Sequence, residues 1–549
     1  NLESFLKNVL DLIDSKHSHQ RRNALLVISE LFRINQNSSF SSENNLWKEI
    51  YNKVVSCLSD EDQEIRDKAS ILLTNIDPAL VLSTIFGLMY SNNSEVHEVA
   101  IRTLKRMLTN HTHKIDVIRL FINCMSVSNV NEGTGSKNDT DPAHQVVLYW
   151  SERVEEWSVL IPKLVEMMFS DPENAAIVRF MSHISDHLAK APEIIMAHIL
   201  SKMKENKSIK SSNQKQGLFD HLSPLLIVRL LPLKIFDNLN SSIMYGKVSK
   251  DFNLEDPQDS IVGNLIEISY DASQFDEVRK LSAELCGRIH PQVLIPLVSS
   301  SLENASSSLN IITIKTSLFS LCTSLAIRVK ETLNFCPSSH IIPSLENILS
   351  LPCVDNDEIF KAQHGCIDCL ALLVCAEMQP IPQYSFTDYI LNGLLSSKSK
   401  TAFRICMANS LISACGKIPS NGKKPFAEKI LPPIINSVSE IGSCEVTKAC
   451  FEVMFSSVYH LKCAVGPLSR TLFRSSVFAL SRESPMVRLA GAKLMAAIFA
   501  GDEPVFKGFS DDTLDAKSAL LNALSCDSSL EIQVLCRQLL SCFSSLESY

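Results

Sequence analysis

Apolar and polar residues alternate along this chain with the period of a helix, and the same apolar stripe is written many times. SPMVRLAGAKLMAAIF, residues 484–499, returns in outline as NDEIFKAQHGCIDCLALL, TAFRICMANSLISACGKI and CEVTKACFEVMFSSV. Aligned on its first apolar residue, the stripe falls at Val278, Ile314, Ile359, Phe403, Val446, Val487 and Ile532, with separations of 36, 45, 44, 43, 41 and 45 residues. Seven residues on, along the same helical face, stand Leu285, Leu321, Cys366, Ser410, Val453, Leu494 and Leu539. Three residues after each anchor come Leu281, Ser317, Ala362, Cys406, Ala449, Ala490 and Leu535, mostly small side chains that admit a neighbouring helix at close range.

A second element precedes the first. It reads LIPKLVEMM (Pro162), LIPLVSSSL (Pro296), IIPSLENIL (Pro343), ILPPIINSV (Pro432, Pro433) and GPLSRTLF (Pro467). Each proline lies 14 to 20 residues before Val178, Ile314, Ile359, Val446 or Val487, which is one helix plus a short loop. Proline suits a first helical turn, where its missing N–H is not needed, or else kinks the helix that holds it. The unit is therefore an antiparallel helix pair, and a period near 40 residues is that of helical solenoids. The N-terminal third repeats more loosely, with Ala24, Ala69 and Ala100 at equivalent places. The stretch from Leu218 to Leu254 fits the pattern poorly.

Two polar stretches, Ser126–Gln145 and Lys204–Gly217, interrupt the array and are expected to be mobile loops. The predicted organisation is 1–125, N-terminal repeats; 126–145, polar loop; 146–260, irregular middle repeats with a basic loop at 204–217; and 261–549, C-terminal repeats of about 41–46 residues.

Asp62, Ile65, Arg66, Ala69 and Leu72 in SDEDQEIRDKASILL, Asp276, Val278 and Arg279 in FDEVRKLSAEL, and Val487, Arg488, Ala490 and Leu494 in SPMVRLAGAKL carry a further signal. Their order resembles the signature of the HEAT/armadillo (ARM) repeat superfamily, and the resemblance covers most of the chain. It implies an all-α, HEAT/ARM-like α-solenoid, a right-handed superhelix of antiparallel helix pairs. It also implies that Asp62, Arg66, Asp276, Arg279 and Arg488 are structural, forming a ladder between adjacent repeats. The concave face would then belong to the helices of Ile65, Val278, Ile359, Val446 and Val487. Glu445 to Lys448 departs from the pattern, having no Val-Arg pair.

Composition supports an array. At 549 residues the chain exceeds what one ordinary core serves, whereas a stack grows without enlarging its core. Hydrophobic residues make up 45% and the mean hydropathy is +0.09, ample for burial. Glycine, 16 residues, is well below its usual share of about 7%, which disfavours a turn-rich sheet protein. The 17 cysteines are scattered within apolar helical runs and read as reduced thiols of an intracellular protein, in nucleus or cytoplasm. No uninterrupted apolar stretch is expected to reach membrane-spanning length, and the residues from Asn1 on do not read as a charged n-region followed by an apolar h-region. The chain opens at Asn1 with NLESFLKNVLDLI and closes on SSLESY, and it is expected to be an excised portion of a longer protein.

Candidate chemistry is sparse. Cys366 and Cys369 form a CxxC without a second ligand pair and read as core thiols, with Cys375 six residues on. His17 with His19, and His111 with His113, lack a carboxylate or thiol partner and read as solvated. Gly246-Lys247 has no upstream glycine to cradle phosphate, and neither a G-x-S-x-G nor an H-E-x-x-H pattern occurs. Trp150 and Trp157, seven residues apart, read as one buried helical face. No enzyme, cofactor, metal or small-molecule substrate is expected.

The function expected is a non-enzymatic scaffold or adaptor, a subunit of a larger complex, that binds extended or helical segments of other proteins. The resemblance implies roles such as nuclear transport, chromatin organisation, vesicle coats, kinase assembly or translation control. The alternative is a nucleic-acid-engaging solenoid with a basic N-terminal face of Arg21, Arg22, Arg102, Lys105, Arg106 and Lys114, joined by a basic loop of Lys202, Lys204, Lys207, Lys210 and Lys215. The net charge of −8 and pI near 6.0 weigh against it.

Overall fold

The structure, a computed structural model, describes residues 2–35, 45–112, 114–128, 141–208, 215–249, 254–336, 338–352, 357–377, 385–501 and 510–547. Among these, regular structure is helical apart from one isolated antiparallel bridge, Val248 to Leu254. The chain forms two units, Asn1–Gly246 with Asp256–Asn264, and Lys247–Glu255 with Leu265–Tyr549. Each unit is an α-solenoid, a stack of antiparallel helix pairs.

In the first unit the helices Ser18–Asn35, Gln63–Leu73, Ser94–Asn110 and Pro142–Ser151 lie side by side as one row. Leu2–Ile13, Asn45–Ser56, Pro78–Leu88, Ile115–Ser128 and Trp157–Ser170 form the row behind them. In the second unit the front row is continuous through Asp276–Cys286, Ile311–Phe335, Asp357–Glu377, Thr401–Lys417, Cys444–Leu461, Pro485–Phe499 and Leu530–Glu547. Short polar residues start these helices. Asp62, Asn93, Asn310 and Ser443 accept the orphan amides of Glu64, Glu95, Thr313 and Val446.

The repeated stripe is the seam of this stack. Every residue seven after an anchor, from Leu285 to Leu539, is buried. So are Ala24, Ala69 and Ala100. The anchors Val278, Ile314, Val446, Val487 and Ile532 are buried as well, whereas Ile359 and Phe403 are half-buried at the helix entry. In Ala175–His183 the buried residue is Ile177, one position before Val178. The prolines Pro162, Pro296, Pro343, Pro432 and Pro433 sit inside helices rather than in a first turn, so each removes an intrahelical donor. Pro467 lies in the 3-10 segment Lys462–Leu468.

Two of the signature arginines use their terminal nitrogens in the same way, although Arg488 Nε also reaches Asp527 while Arg66 Nε has no partner among the described residues. Arg66 Nη1 donates to the carbonyls of Asp60 (2.7 Å) and Glu61 (3.0 Å), and its Nη2 meets Glu95 at the start of the next front-row helix (2.6 Å). Arg488 Nη1 donates to the carbonyls of Arg482 (2.9 Å) and Glu483 (2.6 Å), and its Nη2 meets Asp527 ahead of the next helix (2.7 Å). Asp62 caps its helix and pairs with Arg22 of the preceding repeat. The Asp276–Arg279 pair differs from the expected ladder: it closes within one helix (2.5 Å), and Asp276 is also bound by Lys280.

Trp150 and Trp157 are both buried, but on consecutive helices rather than one face; a turn separates them and their rings meet edge to face at 5.8 Å. The ends of both polar stretches are helical: Ser126–Ser128 and Pro142–Gln145 belong to Ile115–Ser128 and Pro142–Ser151, and Lys204–Ser208 and Lys215–Gly217 to Pro192–Ser208 and Lys215–Leu230. Residues 129–140 and 209–214, with Lys210 among them, lie outside the described residues, as does His113. Between Leu218 and Leu254 the repeat gives way to a 3-10 turn, Leu233–Asp237, and a single helical turn, Ser242–Tyr245.

Two helices, Ile311–Val329 and Asp357–Glu377, have the length and hydropathy (1.3 and 1.4) of a membrane span. Half of each is buried against other helices of the unit, and the pair is tied across its exposed side by Lys315 and Glu358. At the end of Pro291–Ser308, Leu309 adopts a left-handed conformation with φ of 56° while its side chain is exposed. A side chain costs about 1 kcal/mol there and glycine does not. Leu309→Gly is therefore expected to stabilise the second unit by roughly that amount, read as a rise in its urea midpoint.

Candidate functional site

Each unit has a groove on its front row. In the second unit a groove of about 940 Å³ crosses Asp276–Cys286, Ile311–Phe335 and Asp357–Glu377 and reaches Lys417 of the following helix. These are the helices of Val278, Ile359 and their neighbours, to which the resemblance assigned the concave face. The floor is apolar: Phe319 is 45% exposed and Ile312 39%, with Leu318 beneath them. They stand seven residues apart on Ile311–Phe335, whose buried stripe runs through Ile314, Leu318 and Leu321 instead. That helix is apolar on a second face.

Charges border this floor in satisfied pairs. Lys315 donates to Glu358 at 2.7 Å and Lys361 to the same carboxylate at 3.0 Å, and these two bonds hold the Glu358 carboxyl down to about 2. Lys417 pairs with Asp368 across the next helix boundary. Gly365 opens onto Leu318, whose Cδ1 a Cβ would approach to 3.2 Å, so a larger side chain would crowd the floor. Neither Phe319 nor Ile312 stands out in the sequence. The available signal was the width of the apolar arc on IITIKTSLFSLCTSLAI, broader than one seam needs.

In the first unit a smaller groove of about 570 Å³ lies between Ser94–Asn110 and Pro142–Ser151. It is lined by Arg102, Lys105 and Arg106 on one helix, by Gln145 and Tyr149 on the other, and by Glu98. The six residues of the expected basic face are thus divided. Arg102, Lys105 and Arg106 share this groove, and Arg102 is paired with Asp67 at 2.7 Å. Arg21 is held bidentately by Asp60 (2.7 and 2.8 Å), and Arg22 pairs with Asp62 and with Glu64 (2.5 Å). Lys114 is exposed beyond the end of Ser94–Asn110. From the basic loop, Lys204 binds Asp259 at 2.7 Å and Lys202 binds Glu205 at 3.3 Å.

The remaining candidates are structural. Cys366 and Cys369 are fully buried in Asp357–Glu377, and burial raises the Cys366 thiol well above its ordinary range. Cys375 donates to the Ala414 carbonyl and burial raises it to about 12. A thiol held protonated in this way is a weak nucleophile near neutral pH. His17 and His19 stack on each other at 5.5 Å, and His111 terminates Ser94–Asn110. A closer histidine pair was not apparent from the sequence: His144 Nδ1 and His183 Nδ1 lie 2.8 Å apart. Burial, then the neighbouring imidazole, pushes His183 down to about 4. Among the described residues no cluster of three or more metal-ligating side chains forms.

No family model matches the sequence, and no curated protein matches it. Among solved structures, Kap121p bound to Nup53p overlays with a TM-score of 0.40 at 14% identity, over 99% of this chain and 53% of that one. The karyopherin Kap121p bound to the SUMO protease Ulp1p and Kap121p bound to RanGTP each give 0.39 at 14% identity, over 99% of this chain and 53% of theirs. The chain therefore spans about half the length of these structures. At such scores the overlay carries no argument about partners, and the fold assignment rests on the helix stack itself.

Proposed function

We propose that this chain is a non-enzymatic protein-interaction scaffold or adaptor, working within a larger intracellular assembly of the nucleus or cytoplasm. Its second unit seats a helical or extended protein segment in the front-row groove. The observation that carries this reading is the exposed apolar floor of Phe319 and Ile312, bordered by ion pairs that already satisfy one another. An aromatic side chain left open in a concave site is the usual anchor of an interface. Because Lys315, Lys361, Glu358, Asp368 and Lys417 are paired among themselves, a partner can cover the floor without stranding a charge. The nucleic-acid alternative draws on residues of which Arg21, Arg22 and Arg102 are already neutralised.

The test is affinity capture from cell extract with the wild-type chain and with Phe319→Glu, each with and without nuclease. Partners that survive nuclease and are depleted by the substitution, at least about tenfold, support the reading. A partner set unaffected by Phe319→Glu, or one that disappears with nuclease, would overturn it.

A further inference from the structure

We infer that the groove between Ser94–Asn110 and Pro142–Ser151 is a second binding site, one that takes a short acidic protein segment. It lies in the first unit and is independent of the groove assigned above. Lys105 and Arg106 stand side by side on its wall, and neither has an ion pair among the described residues, whereas Arg102 one turn earlier is engaged by Asp67. Across the groove Tyr149 holds two cations against its ring: Lys105 Nζ at 5.3 Å from the centroid and the Arg153 guanidinium at 3.4 Å. The ring gathers cations that would otherwise repel, and it keeps the Lys105 ammonium at the groove. Charge concentrated in a walled concavity acts on an anion more strongly than the same charge spread over a surface.

The shape of the charge distribution selects the occupant. Both ends of the basic spot are bordered by acids: Asp67 on the preceding front-row helix, paired with Arg102, and Glu152 at the end of the next, paired with Arg153. Glu98 lines the groove itself. A phosphate backbone needs a continuous basic track, and here it would run onto carboxylates within one helix on either side. Nor does Tyr149 offer a base the open face it needs for stacking, since cations already lie over the ring. One or two carboxylates of an extended peptide fit the spot, their neighbours passing over Gln145 and the aliphatic stem of Lys105.

The experiment uses the full chain and three fluorescein-labelled probes: a short peptide of aspartate and glutamate, its lysine counterpart, and oligothymidylate. Anisotropy titrations compare wild type, Lys105→Glu/Arg106→Glu and Phe319→Glu, with circular dichroism melts as the folding control. The inference expects the acidic peptide alone to bind, weakening with salt, and to lose roughly tenfold or more in the double variant while Phe319→Glu leaves it unchanged. Lys105→Met/Arg106→Met, which adds no negative charge, should give a smaller loss in the same direction. Absence of acidic-peptide binding, binding indifferent to both double variants, or tighter binding of oligothymidylate would each overturn it. Because Phe319→Glu disables only the other groove, failure here leaves the scaffold reading separately measurable.

Discussion

Replacing Asp527 by alanine is expected to destabilise the C-terminal end of the second unit by about 3 kcal/mol or more. The carboxylate side chain is only 1% exposed and its partner Arg488 14%. Both Nε and Nη2 of Arg488 reach Asp527 at 2.7 Å, and Asp527 Oδ1 accepts the Ser529 amide at 3.0 Å ahead of Leu530–Glu547. Alanine therefore removes the interrepeat pair and leaves a largely buried guanidinium with only the carbonyls of Arg482 and Glu483. The internal control is Glu95, which plays the same part for Arg66 but is 64% exposed. Glu95→Ala is expected to cost less, about 1–2 kcal/mol: the exposed carboxylate loses little burial of its own, but Arg66, only 8% exposed, is left with the carbonyls of Asp60 and Glu61. Urea unfolding, with amide exchange in Leu530–Glu547 as the local readout, checks both. Equal losses at the two sites would show that burial does not set the strength of the ladder.

The second large effect is expected at Trp150, whose side chain is fully buried. Its ring meets Trp157 at 5.8 Å and Phe180 at 5.6 Å, joining three successive helices of the first unit. Trp150→Ala should cost about 3–5 kcal/mol, because the cavity forms between elements that the rings hold apart and cannot close without shifting them. Trp150→Phe should cost far less, under about 1.5 kcal/mol. It keeps most of the ring contact, and the indole nitrogen it deletes is buried with no hydrogen-bond partner. Thermal melts followed by near-ultraviolet circular dichroism distinguish the two. A loss at phenylalanine as large as at alanine would mean that the indole nitrogen is bonded after all.

These two sites hold the stack together, whereas the proposed binding sites lie on side chains the stack does not use. Phe319, Lys105 and Arg106 sit on front-row helices, off the seams that bury Leu321 and Leu104. A repeat array permits this separation because each helix spends one face on its neighbours and leaves another for partners.

The helices, their period and the seam were legible in the spacing of apolar residues. Val446 and Val453, or Val487 and Leu494, are spaced for one face of one helix, and a periodic stripe that long has no other way to be buried. The resemblance to the repeat superfamily implied structural roles for Asp62, Arg66 and Arg488, which the structure places in ion pairs between repeats. What depends on which residue arrives from the next repeat came only from packing. Arg21 and Lys105 are both cations on front-row helices, yet one is locked to Asp60, 39 residues away, and the other faces a groove. A close helix approach likewise falls at Gly491, where a Cβ would lie 2.4 Å from that of Ala479. Periodicity reports which face of a helix is buried, but pairing and exposure are set by side chains some forty residues distant, whose register only packing establishes.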